Sequence, residues 1–158
     1  MSALAEVAAA ADPALATYAV PEPGSGELEQ IVGDGPRAMV VETIREGYLL
    51  HYGEARAFRG MDDDMRLLAG DSMFALGLDR LARDGDLEAI TELCDLITLS
   101  ARAEAEGELE IVPALWRASA ERLSPTGGPG ARASSAPPEA SGEGSSESSD
   151  EGPRLTSG

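Results

Sequence analysis

Asp62, Asp63 and Asp64 stand in a row, Asp71 interrupts an apolar stretch that reads L-L-A-G-D from Leu67, and His51 is the only histidine of the chain. Carboxylate oxygens are the ligands that hard divalent cations prefer, so the aspartate triplet is the first place to look for a metal. Adjacent side chains on a helix point about 100° apart, however, so three in a row converge on one ion less well than carboxylates four residues apart. At a helix start the same residues complement the positive end of the dipole, and one of them caps it. The triplet is therefore read as a helix start.

Asp71 is flanked on its side of the helix by Leu67, Leu68, Phe74, Ala75 and Leu78 through the i±3 and i±4 relations. An ionised carboxylate in that setting needs a partner or a route to water. Arg45, from a neighbouring helix, is the candidate partner, with a backbone amine at a helix start as the other. The expected role is a partly buried ion pair that fixes packing. Gly70 and Gly77 lie seven apart and share a face, although each costs about 1 kcal/mol relative to Ala in a helix interior. Close approach of another helix is the natural reason for both. Gly70, Asp71, Gly77 and Arg45 thus form the candidate interface or buried-charge set.

His51, near a helix C-terminus, is read as a dipole-complementing residue, since no Ser or Cys nucleophile has a recognisable elbow. The single cysteine, Cys94, leaves no intramolecular disulfide and no thiol set for a metal, and reads as a small buried hydrophobe. No catalytic, cofactor-binding or metal-ligating residue is assigned, and no cofactor is expected.

The elements that position these residues are helices. Residues 1–20 carry helix formers with a break at Asp12-Pro13, and residues 21–26 (P-E-P-G-S-G) form a linker. A short turn over 27–32 precedes a long helix over 36–52 with Met39, Val40, Ile44, Tyr48 and Leu49 near helical spacing. Gly53 ends it. Residues 54–60 connect, with Phe58 as an apolar anchor, to a helix starting at 62–64 and running to about residue 83. Gly85 stops that helix and Asp86 caps the next, over 87–106, which closes at Gly107. So short a connection makes the two antiparallel neighbours. In the second, Ile90, Leu93, Cys94, Ile97 and Ala101 form one face and Glu88, Glu92, Asp95 and Arg102 another. A last helix over 112–123 contains Leu115, Trp116 and Leu123, with Pro113 in its first turn.

From Ser124 the composition changes to Ser, Gly, Pro and Glu, which cannot offset its ordering entropy. The division is a helical segment and linker (1–26), a helical bundle (27–123) and a disordered tail (124–158). The fold class is all-α, a small antiparallel bundle. Two Phe, three Tyr and one Trp leave the core to Leu, Ala, Val, Ile and Met, which suits closely packed helices. The chain carries 29 acids against 12 bases, all of them Arg, for a net charge of −17. The five acids and two arginines beyond Ser124 contribute −3, so −14 belongs to the bundle and its N-terminal segment. Such a surface repels phosphate backbones and anionic headgroups, and no nucleic-acid partner is expected. No window approaches the ~20 apolar residues of a membrane span, and Glu6, Asp12 and Pro13 interrupt any apolar leader, so the cytoplasm is the expected compartment.

The stretch Tyr52-Gly53-Glu54, followed by Leu67 to Leu81, resembles part of the trans-isoprenyl diphosphate synthases, all-helical enzymes in which an F-G-E-like turn leads into a helix reading L-A-G-D. About twenty residues carry the resemblance. The family's DDxxD-type motif, which binds Mg²⁺ and diphosphate, precedes the matching turn, whereas this chain has only D-D-D-M-R after it. The second Asp-rich motif and the paired arginines are missing. The resemblance therefore implies a chain without prenyl transfer of its own, similar to the small partner subunits of some prenyl synthases.

Two expectations follow. The first is a non-enzymatic cytoplasmic helical protein whose glycine-containing helix pair mediates self-association or binding of a protein partner. The alternative is a non-catalytic auxiliary subunit of a prenyl diphosphate synthase.

Overall fold

Most of the α-helix termini fall at a short polar residue or a glycine that serves the free backbone groups there, or at a proline that has no N–H to serve. The computed structural model describes residues 1–127. Ser2 caps α1 (Ala3–Ala10), its side chain accepting from Ala5 N–H, and Asp12 caps the 3-10 turn Pro13–Tyr18. After the linker come α2 (Glu29–Val32) and α3 (Pro36–Tyr52). Asp62 opens α4 (Asp63–Asp84) by accepting from Met65 N–H at 2.8 Å, so the aspartate triplet is a helix start. Gly85 closes α4 in the left-handed conformation that glycine adopts without strain. Asp86 caps α5 (Leu87–Glu106), and the 3-10 turn Leu109–Ile111 leads into α6 (Val112–Leu123), with Pro113 in its first turn.

The architecture is all-α, and α3 is its hub. One apolar cluster joins α3 (Val40, Val41, Ile44, Tyr48) to α5 and α6 through Leu93, Leu96, Trp116 and Ala120. A second joins the N-terminal segment (Val7, Leu15) to Leu50, Phe58, Ala69 and Met73. Phe58 is buried, as an anchor of the connector should be. A single antiparallel bridge, Ala19 to Phe58, ties the segment after the first 3-10 turn to the connector. Its bonds are Val20 N–H to Ala57 O and Arg59 N–H to Tyr18 O, each 2.8 Å. The N-terminal segment is thus part of the same packed body as the bundle.

The inward face of α5 is turned from its expected position. Ala89, Leu93, Leu96, Ser100 and Ala103 are buried while Cys94 is exposed, so Cys94 is not a core residue. The reason is that α5 packs on α3 and α6 as well as α4, which centres its buried face away from the α4 flank. No helix among the described residues is long and apolar enough to cross a membrane. Ser124 to Gly127 fold back as a turn on the end of α6, and the expected disordered tail lies, from residue 128 on, outside the described residues.

Candidate functional site

Two constellations meet on α3, and the first is one that the sequence pattern did not single out. Glu42 and Glu46, one helical turn apart, are both completely buried. Glu42 Oε1 accepts from Leu28 N–H (2.6 Å) and Glu29 N–H (2.8 Å), which serves the free amides at the start of α2. Its other oxygen accepts from an Arg56 terminal nitrogen at 2.7 Å. Glu46 takes Arg56 Nε at 2.8 Å and the backbone N–H groups of Arg56 and Ala57 at 3.0 Å. Burial pulls the Arg56 pKa down, but the charges of Glu42 and Glu46 outweigh it and leave it raised. This is a carboxylate clamp that pins both the linker and the connector to α3. The carboxylates are spent on N–H donors, which leaves no open face for a metal. Gly26 lies so close over the Glu42 carboxylate that any side chain there would strike it.

The signal for the clamp was present: two glutamates at i and i+4 within the apolar run from Val40 to Leu50, with an arginine in the connector beyond. What the sequence could not supply is the backbone amides, from segments on both sides of α3, that complete it.

The second constellation follows from helix approach. A side-chain carbon on Gly47 would sit 3.0 Å from Gly70 O, and one on Gly70 would sit 3.1 Å from Gly47 O. The two glycines face each other across the seam of α3 and α4. Gly77 lies against Ile44 and Val40 further along the same seam. The close approach thus joins α4 to α3 rather than to α5, and the glycine face is already covered within the chain. It also sets the His51 ring against α4, stacked on Phe74 with centroids 5.4 Å apart and planes 12° apart.

Asp71 pairs with His51 and not with Arg45. Its Oδ1 lies 3.1 Å from His51 Nε2, the imidazole side chain being 15 % exposed and the carboxylate 75 %. Nε2 is buried but not aimed for a hydrogen bond, so the imidazole has bonding capacity to spare. The carboxylate therefore has its route to water, because the flank of α4 that carries Leu67, Leu68 and Asp71 is left uncovered. Arg45 instead lies over the rings of Tyr48 (5.1 Å) and Trp116 (4.8 Å), a cation–π arrangement. Burial, together with the like charge of Arg56, draws its pKa below the ordinary arginine value.

Between α3, α4 and α5 these residues enclose a cleft of about 200 Å³ lined by Tyr48, His51, Tyr52, Asp71, Phe74, Ile97 and Ala101. The Tyr48 hydroxyl donates to Glu104, and burial followed by that bond raises its pKa, keeping the phenol neutral. Among the described residues no three His, Cys, Asp or Glu side chains converge as a metal group.

Fold and site together define an all-α protein built on a central clamped helix with an aromatic, acid-rimmed cleft. No family model, curated protein or solved structure matches the chain.

Proposed function

We propose that this is a non-enzymatic, cytoplasmic helical protein that works by binding another protein through the corner where α3 ends and α4 begins. The observation that carries the reading is the exposure of Tyr52 (47 %), Leu67 (49 %) and Leu68 (66 %) at that corner. Tyr52 and Leu67 share one concavity of about 360 Å³ with Leu50, His51, Gly53, Asp63 and Arg66. Arg66 stiffens it by donating to the carbonyls of Leu49 and Leu50 in the last turn of α3 and of Gly53 just beyond it. Tyrosine is among the usual anchors of a protein interface, and a contiguous exposed apolar patch beside it marks an interaction site. Two copies each carrying −17 repel, which favours a heterologous partner over self-association.

Affinity purification of the tagged protein from its own cells, alongside sedimentation equilibrium of the pure chain, tests the reading. A partner lost on Leu68→Asp, with a monomeric pure chain, is the expected outcome. Self-association abolished by the same variant would make the occupant a second copy. Recovery of a prenyl diphosphate synthase would move the protein to the auxiliary-subunit reading, which rests on the L-A-G-D resemblance. A monomer with no Leu68-dependent partner would overturn the proposal.

A further inference from the structure

We propose that the cleft between α3, α4 and α5 is a binding site for an alkylammonium group. The inference goes beyond the docking corner and stands on the lining of the cleft alone. Three of the six Phe, Tyr and Trp residues of the chain, with its only histidine, converge there. Tyr48 and Tyr52 have centroids 5.3 Å apart, and His51 lies 5.8 Å from Tyr52. Aromatic faces attract cations through the ring quadrupole, and best where water is partly excluded. The Tyr48 ring already holds Arg45 on these terms, while Tyr52 keeps an exposed surface for an incoming group.

The charge at the cleft selects the sign of the ligand. Asp71 stands on its rim, no arginine among the described residues lines it, the nearby Arg45 lying against the Tyr48 ring, and Glu104 places a second carboxylate behind the Tyr48 hydroxyl. An anion would meet these carboxylates and the field of an acidic domain, whereas a cation is drawn toward both. The volume sets the size. About 200 Å³ equals the liquid volume of roughly six or seven waters, below the about 300–1,000 Å³ of drug-sized pockets. That suits an ammonium head with a short alkyl stem. A free alkylamine and the side chain of a partner's lysine share this chemistry.

The test is titration of the ¹⁵N-labelled full chain with tetramethylammonium chloride, with tert-butanol as a neutral probe of similar shape. Saturable shifts confined to residues 48–52, 71–74 and 97–101 are expected with the cation and not with the alcohol. Tyr52→Leu should weaken binding about two- to fivefold, the loss of one cation–π contact, and Asp71→Asn by about fivefold or more. Equal binding of N-acetyl-lysine methylamide and of a lysine peptide with apolar flanks would identify a free amine as the ligand. Tighter binding of the peptide, with shifts extending to Leu67 and Leu68, would identify a partner's lysine. No saturable shift with any cation, equal response to the alcohol, or indifference to Asp71→Asn would overturn the proposal.

Discussion

Helix α3 carries two polar constellations little more than a turn apart, and they differ in what is left over. At Glu42 and Glu46 the carboxylates are buried and committed to backbone amides of the linker and connector and to the Arg56 guanidinium. At His51 and Asp71 the imidazole nitrogen is buried without a directed partner, and the carboxylate stands mostly in water. A committed buried network holds segments in place and is costly to cut. A cleft with spare bonding capacity adds little to stability and can accept something else. The contrast separates the residues that build the molecule from those that can address a ligand.

The largest break in that contrast is Glu46→Ala. It removes the acceptor of Arg56 Nε and of the amides of Arg56 and Ala57, and leaves the guanidinium with Glu42 alone. Cutting one partner from a buried ion pair costs about 3–5 kcal/mol, a large share of the about 5–15 kcal/mol that holds a domain folded. Urea denaturation should show the loss, and amide exchange should be fastest over residues 54–60. Unchanged stability would mean that the clamp does not hold the connector.

Next is the seam that joins the two constellations. Gly70→Ala improves helix propensity by about 1 kcal/mol, yet the new methyl would sit 2.6 Å from the His51 ring and 3.1 Å from Gly47 O. Overpacking of this kind costs about 1–3 kcal/mol, so thermal melts should show a net loss, larger for Gly70→Leu. A stabilised Gly70→Ala would show that His51 moves aside freely and that the seam is not tightly packed there.

A smaller effect distinguishes polar pairs at the far end of the bundle by pH. The hydrogen bonds from Arg37 to Asp86, at 2.7 and 2.9 Å, hold that carboxyl below its ordinary value. Burial pushes Glu92 up, but bonds from Arg122 and Ser119 outweigh it and hold it down. A carboxyl depressed in the folded state contributes stability above its unfolded pKa, about 4, and loses it as pH falls through the folded value. Urea midpoints from pH 7 to pH 2 should therefore fall more steeply for the wild type than for Asp86→Asn. Equal slopes would remove the Arg37 pair from the acid response. Since Asp86 also caps α5 through Ala89 N–H, Asp86→Ala should cost about 0.5–2 kcal/mol at neutral pH.

The helices were legible because their ends are written in single residues. Asp12-Pro13, Gly53, the aspartates at 62–64, Gly85-Asp86 and Gly107 each mark a terminus in the structure. The partners of the helices were not, because a short turn makes neighbours of α4 and α5 without saying which contact is closest. The glycines of α4 meet Gly47, His51, Val40 and Ile44 of α3, a helix reached only through a connector. Asp71 was misread for a related reason. Helical spacing names its apolar neighbours correctly, but three of them, Leu67, Leu68 and Ala75, are themselves exposed, so apolar spacing along α4 does not mean burial. Glu42 and Glu46 escaped notice because their donors lie 10 to 14 residues away on either side, beyond any local pattern.

The smallest stability effect, and the sharpest for the comparison, belongs to Asp71→Asn. Among the described residues its one partner within ion-pair distance is His51, and the contact is not aligned as a hydrogen bond. Exposed pairs of this kind contribute about 0–1 kcal/mol, and substitutions away from caps and cores stay within about 0.5 kcal/mol. Asp71→Asn should therefore melt like the wild type while Glu46→Ala does not, although both remove a carboxylate that touches α3 or belongs to it. A loss beyond 1 kcal/mol would make Asp71 a structural partner of His51, and the cleft would then resemble the clamp. Retained stability means that the carboxylate is kept at the rim at no benefit to the fold, which is the physical condition for a residue whose charge is directed at something outside the chain.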